Sequence, residues 1–443
     1  MKYSLLDFFC HPVLRASALG SMLMGLSAAL IGGMVLVQRR SLIGEALSHA
    51  AYPGVLIAPF FMVWFSLHSD KVLSALVLVG AFLTTWLGLI AIHRCEHRFK
   101  LSADTALALG SSLFLGLGIL MASRLQFVDP LAYQQLQTFL YGQTATMIDT
   151  HLYLYGLLAC LCLVFTGVAF RQIELTLFDP QFAASLPLKQ RATHRFFTFL
   201  LLFVVIAGIR SAGVVLLSGM LIAPAIAARQ LTDRFGQLLV ISACFGVLSA
   251  FGGNVLALYL PMWLGKGFAL PTGPMIILVA VGLCLMALLF APKRGALFRH
   301  ARILRFRFSC LCENLLKTLW KQGVGVRPLG LTALAEKQHR SLLLLRLALL
   351  HLQRKKWIAK KEHGYWLTKE GAIRATQLVR LHRLWELYLT SELNIHHDRV
   401  HRNAEEMEHI LTPALEKKLT ELLDHPKTDP HDQPIPEWED VKC

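Results

Sequence analysis

Glu45 and His49 stand four residues apart in the stretch SLIGEALSHAAYPG, residues 41–54, between two long apolar runs. On a helix that spacing stacks both side chains on one face. A carboxylate and an imidazole are expensive at membrane depth, where they line a polar pathway or pair with each other. Together they offer half of a coordination shell for a divalent transition metal. Imidazole suits zinc, iron and manganese, and carboxylate suits manganese and iron. The alternative is an ion pair or capping arrangement at a helix start just after Arg39 and Arg40. A denser set of the same chemistry lies near the other end of the chain. His382 and Glu386 are at i, i+4, and His401, Glu405, Glu408 and His409 follow, with Glu405 and His409 again at i, i+4. Two helices crossing with these faces inward would supply carboxylate and imidazole enough for two divalent ions, whereas a lone histidine would read as structural.

These residues sit in two different kinds of chain. Of the 443 residues only 16% are charged and 55% are hydrophobic, which is not the composition of an ordinary soluble globule. Up to about Pro292 the apolar residues gather into runs near the length that spans a bilayer. The expected spans are 16–37, 41–66, 72–92, 103–122, 151–170, 196–209, 212–228, 238–263 and 275–290. The run 196–209 is short for a bilayer of ~30 Å at ~1.5 Å per residue and could be re-entrant, with Arg210-Ser211 as a turn. Arginines and lysines collect at Arg39-Arg40, Arg94 to Lys100, Arg171 to Arg195, Arg229 to Arg234 and Lys293-Arg294. By the positive-inside rule these loops are cytoplasmic, which places the N-terminus outside and the C-terminus inside. The start of the chain has no clear small-residue cleavage site, so a removed signal peptide is not expected. The nine cysteines form no disulfide framework. Asp179 can cap a short helix beginning near Pro180, and Leu270 to Pro274 breaks the chain before the last span.

After residue 292 the chain becomes charged and helix-patterned. Between Lys293 and Lys361 only Glu313 and Glu336 are acidic, a block that reads as binding anionic lipid or nucleic acid. The pattern predicts a winged helix-turn-helix: helices over 313–322, 331–337 and 339–355, then strands over 357–360 and 365–368 with a turn at His363-Gly364. Gln338, His339, Arg340 and Arg346 would face DNA, and Lys360, Lys361 and His363 would meet phosphate. A basic hairpin that binds lipid or a partner subunit is the alternative, because SLLLLRLALL is unusually apolar for a DNA-reading helix.

SLIGEALSHAAYPG, FDPQFAAS, SGMLIAPAIAARQLTDRF and LPTGP, in this order, resemble the permease subunits of ABC importers for manganese, zinc and iron, from about residue 10 to 292. The resemblance implies that Glu45 and His49 contact the transported metal, although the family more often has Asp at the position of Glu45. It implies that Phe178, Asp179 and Pro180 open a segment that packs against the ATPase. No GxxxxGK[ST] motif occurs in the chain, so the ATPase is a separate subunit and the chain is no enzyme by itself. A second permease subunit, identical or homologous, and an extracytoplasmic metal-binding protein are implied too, in a bacterial cytoplasmic membrane.

LVRLHRLWELYLTSELNI, HRNAEEMEHILTPALEKKL and LDHPKTDPHDQPIP resemble the metal-binding and dimerisation domain of the diphtheria toxin repressor family, over about 313–436. The resemblance puts His382, Glu386 and His401 in one metal site and Glu405, Glu408 and His409 in another. Glu405 stands where iron-type members have Cys and matches the manganese type. The first helix carries Asn314 and Lys317 where manganese-type members offer Asp and Glu; Glu313 is the neighbour that could substitute. A permease joined to such a repressor resembles the fused metal permease–regulators of chlamydiae. The expected architecture is an all-α polytopic membrane domain of about 8–9 transmembrane helices (1–292), a basic linker (293–312), a winged helix-turn-helix (313–375) and a helical metal-binding and dimerisation domain (376–443). The expected function is a permease for iron, manganese or zinc fused to a metal-dependent repressor that dimerises on operator DNA. In the competing reading the tail is a metal-sensing gate that never binds DNA. Cleavage within 293–312 would release the tail from the membrane.

Overall fold

The computed structural model describes residues 7–65, 70–142, 144, 147–186, 190–214, 216–265, 270–322, 328–361, 364–393, 395, 407 and 413–436. The chain forms two compact units, Met1–Arg299 and His300–Cys443.

The first unit is helical throughout its described residues. A single turn, α1 (Asp7–Cys10), precedes α2 (Pro12–Val37), α3 (Ile43–Trp64), α4 (Asp70–Arg98) and α5 (Ala103–Val128). The short α6 (Pro130–Tyr141) leads to α7 (Asp149–Val168), α8 (Phe170–Phe178) and α9 (Pro180–Ser185). Then come α10 (Gln190–Ala212), α11 (Leu217–Leu231), α12 (Phe235–Leu264) and α13 (Thr272–Phe290). Seven of these, α2, α4, α5, α7, α10, α12 and α13, are long and apolar enough to cross a membrane by length and composition. Helix α11 is apolar but shorter, and α3 contains Pro53 and Pro59.

Two expectations are revised here. The run beginning at Phe196 is not a short helix: α10 starts at Gln190 and runs through Arg210 and Ser211 to Ala212, so the expected turn is helix. Its polar first turns hold Arg191, His194 and Arg195, long side chains that let a membrane helix extend to the interface. The short element is α11 instead. It begins after Gly213, whose φ of 87° suits glycine, and carries Pro224 inside.

Small residues let these helices approach closely, as packing in lipid requires. A Cβ on Gly54 of α3 would lie 2.1 Å from the carbonyl oxygen of Gly80 on α4. Gly25 of α2 meets Gly246 of α12 in the same way, at 2.5 Å. The second contact continues into a buried polar clamp. The Ser17 hydroxyl donates to Asn254 Oδ1 at 2.9 Å, and Asn254 Nδ2 donates to Ser21 Oγ at 2.8 Å. The outward faces of α4 and α5 carry exposed leucines, among them Leu83, Leu87, Leu113 and Leu120, a surface suited to lipid.

The division between the units falls within α14 (Ala296–Lys321). The expected basic linker is thus helical from Ala296 onward, with Arg299, Arg302, Arg305 and Arg307 exposed beside exposed Leu304 and Phe306. Helices α15 (Leu331–Gln338) and α16 (Leu342–Arg354) follow, then strands β1 (Ile358–Lys361) and β2 (Gly364–Leu367). The strands pair antiparallel, with Ile358 opposite Leu367 and Lys361 opposite Gly364. Gly364 has φ 142°. Leu315, Leu319, Leu334, Leu345, Leu349 and Ile358 share one buried core. This is the winged helix-turn-helix pattern, within two or three residues of its expected boundaries except that α14 begins far earlier. Helix α17 (Lys369–Ser391) is capped by Thr368, whose side chain accepts from the Gly371 amide. Gly371 is needed because a Cβ there would lie 1.8 Å from the Trp357 carbonyl oxygen. Helix α18 (Pro413–Leu422) is held to α17 by Arg380 and Glu416, at 3.2 Å.

Candidate metal pathway and regulator sites

Glu45 and His49 lie in the first two turns of α3 and on one face, as their spacing requires. Ser48 turns inward, its hydroxyl donating to the Gly44 carbonyl at 2.6 Å. His49 is 7% exposed, and its Nδ1 lies 2.6 Å from Ser111 Oγ on α5. That bond fixes the ring plane and leaves Nε2 as the nitrogen for a cation. Glu45 is half-buried one turn earlier. Tyr52, 2% exposed, closes the next turn, and a Cβ on Gly118 of α5 would come within 2.3 Å of its ring. A carboxylate and an oriented imidazole are therefore set inside an apolar helix bundle between α3, α4 and α5.

The end of the bundle just ahead of Glu45 is basic. A cavity of about 1410 Å³ opens there among Gln38, Arg39, Arg40, His93, His194 and Arg229. Beside it, Asp179 accepts from the Phe182 amide at 2.9 Å and caps α9, with Pro180 in its first turn. Phe178 packs edge-on against Phe235, ring centroids 5.9 Å apart, yet is 59% exposed. Phe182 is exposed as well. One grouping escaped the sequence reading, which took 93–100 as a basic loop. His93, Glu96 and His97 bring ligand atoms within 4.8 Å of one another. The spacing His-x-x-Glu-His was the signal for it.

In the second unit His382 and Glu386 are buried on α17, at 5% and 2% exposure. His382 Nε2 lies 3.0 Å from Glu386 Oε1. His382 Nδ1 lies 3.1 Å from Nζ of Lys317, itself 5% exposed on α14. The three side chains thus form one buried relay, with Lys317 Nζ at Nδ1 and Glu386 at Nε2 of His382. The donor types of His382 and Glu386 suit a divalent metal, but Lys317 already sets a positive charge at the imidazole nitrogen. Glu313, the expected substitute ligand, pairs with Arg374 at 3.0 Å. His401, Glu405, Glu408 and His409 lie outside the described residues.

The candidate DNA contacts separate into two groups. Gln338 turns inward and donates to Thr318 Oγ1 at 2.8 Å. His339 is the left-handed C-cap of α15, with φ 48°, so it forms the turn between the helices. His339, Arg340 and Arg346 are exposed, as is Lys360 on β1. Lys361 pairs in β1 opposite Gly364, and His363 lies outside the described residues. The outer face of α16 also exposes Leu343 at 72%, with Leu347 and Leu350 behind it.

Comparisons with known proteins divide the chain in the same way. The sequence profile of the ABC 3 transport family matches residues 10–291. That of the iron dependent repressor metal binding and dimerisation domain matches residues 368–437. A probable metal transport system membrane protein of Chlamydia trachomatis serovar D is 34% identical over 439 residues, 97% of each chain. A manganese transport system membrane protein of Bacillus subtilis is 30% identical over 387 residues, 87% of this chain and 86% of that protein. Among solved structures, PsaBC of Streptococcus pneumoniae shares the fold with a TM-score of 0.54 and 24% identity, covering 66% of this chain and 96% of that one.

Proposed function

The chain belongs to the ABC 3 transport family, and from that premise we propose that it is the permease subunit of an ATP-driven importer of a divalent transition metal, fused to a metal-dependent transcriptional repressor. The observation that carries the transport reading is the pair on α3, a buried His49 one turn from a half-buried Glu45. Glu45 supplies charge and His49, held by Ser111, supplies a directed nitrogen within otherwise apolar helices. Such a pair gives a dehydrating cation replacement ligands while water supplies the rest of its shell. Iron, manganese and zinc all satisfy this chemistry. His49→Ala should abolish uptake of radiolabelled metal while membrane insertion stays intact. Wild-type uptake by that variant overturns the assignment.

The ATPase is a separate subunit that docks on the exposed Phe178–Phe182 surface, ordered by the Asp179 cap. A second permease subunit and an extracytoplasmic metal-binding protein complete the importer, and the basic end of the bundle is its cytoplasmic side. The tail dimerises and reads DNA with Arg340 in the turn and Arg346 on α16, while Lys360 and Lys361 of the wing meet phosphate. Its metal response rests on His382, Glu386 and His401 in one site and Glu405, Glu408 and His409 in another. Glu408→Ala with His409→Ala should remove metal-dependent operator binding.

One observation favours a second reading, a tail that gates transport without touching DNA: the leucines on the outer face of α16. Binding of the full-length protein to operator DNA separates the two. The repressor reading requires sequence-specific binding that weakens steeply with salt and is lost with chelator. Binding that ignores sequence favours the gate.

A further inference from the structure

We propose that His93, Glu96 and His97 form a second divalent-cation site in the transport unit, at the mouth of the basic cavity, where the cargo pauses before it leaves. The inference rests on the transport reading and extends it to the basic cavity that opens just ahead of Glu45.

The sequence HRCEH places the two histidines one turn apart near the end of α4, with Glu96 beside the second. Side chains at i, i+3 and i+4 share a face. The rings of His93 and His97 sit 4.2 Å apart, centroid to centroid, and one ligand atom from each of the three residues falls within 4.8 Å of the others. Two imidazoles and a carboxylate on one helical turn form a three-ligand set that leaves positions open for water, suited to manganese, iron or zinc.

A second, independent observation points to a cation. The Glu96 side chain is 8% exposed. Its Oε2 accepts from Arg40 at 3.0 Å, but its Oε1 is buried with no hydrogen-bond partner. A buried carboxylate oxygen left so is costly, and a metal ion shared with the two histidines would satisfy it. His93 also lines the cavity of about 1410 Å³, so the site is open to a departing ion.

Surrounding charge sets the strength. Arg40 already neutralises part of Glu96, and Arg39, Arg94 and Arg229 line the same cavity. A cation here is held weakly, as an exit site requires, since ions must bind well enough to enter and poorly enough to leave. A purely structural role, with the histidines only ending the helix at the interface, leaves the buried Oε1 unexplained.

The test is Co²⁺ titration of the purified full-length protein in nanodiscs, following absorption of the bound ion. All variants carry His49→Ala to silence the first site. Adding His93→Asn and His97→Asn should remove one equivalent of bound Co²⁺. Glu96→Gln keeps the acceptor for Arg40 and should weaken that equivalent at least tenfold. Unchanged stoichiometry and affinity in both overturns the site. Uptake by His49→Ala alone tests the transport reading separately, so the two failures are distinguishable.

Discussion

At the scale of single residues, the histidines are set in three chemically different ways. His49 is oriented by a hydroxyl, His93 and His97 face each other beside an unsatisfied carboxylate, and His382 is met by a lysine. The first was legible from spacing alone, because Glu45 and His49 are conspicuous among apolar neighbours. The second was not, because Arg94 and Arg98 made the same stretch read as an interfacial basic loop. For the third the sequence raised the alarm, with Lys317 in a ligand position, but only the packing of α14 on α17 shows where the ammonium goes. Lys317→Ala should destabilise the second unit by roughly 3–5 kcal/mol, since it strands a buried carboxylate–imidazole pair. Urea unfolding followed by tryptophan fluorescence measures this, and a loss under 1 kcal/mol would show that the relay is not a stabilising element. Cys312, a short way up the same helix, is 4% exposed, and burial pushes its thiol up to about 11. The thiolate is the reactive form, so iodoacetamide at pH 8 should leave Cys312 unmodified in the folded protein and alkylate it after denaturation, as peptide mass spectrometry reads out.

At the scale of elements, apolar run length located the membrane helices well and their ends poorly. Helix α10 continues through Arg191, His194 and Arg195 because long polar side chains reach the interface from within a helix. Helix α11 is shorter than its apolar composition implied, because Gly213 delays its start. Helix partners were not legible, since the glycines that choose them sit in runs rich in other small residues. The α3–α4 contact at Gly54 and Gly80 is a close backbone approach just beyond His49 on the same helix. Gly54→Val should separate the two helices, cost about 1–3 kcal/mol or more through overpacking, and lower uptake with the metal site chemically intact. Thermal aggregation of the detergent-solubilised protein, compared with uptake, separates this from His49→Ala, which should lose uptake at unchanged stability. Asp179→Ala removes the α9 cap, worth ~1 kcal/mol, and should weaken co-purification with the ATPase subunit without altering membrane insertion.

At the scale of the whole molecule, transport and regulation share one polypeptide, so each copy of the permease brings one copy of the regulator. The winged helix was legible because its short strands and the turn glycine have strong local signatures. Which of its residues face outward was less so. Gln338 carries the right chemistry for a base but spends it on Thr318. The expected operator footprint follows from symmetry: two half-sites about one helical turn apart. Arg346→Ala should relax sequence preference, whereas Lys360→Ala should lower affinity evenly across sequences and flatten its salt slope by about one. Fluorescence anisotropy at several salt concentrations distinguishes them. The junction adds a matter of timing. Proteases cleave extended chain, and α14 runs hydrogen-bonded from Ala296 through the stretch where release was expected. If release occurs there, the helix must first unwind locally, and the cutting rate follows the fraction of time it is open. The helix would then act as a delay between synthesis of a permease and the appearance of a free regulator, and its length would be set by whatever holds the exposed basic turns of 299–307 folded.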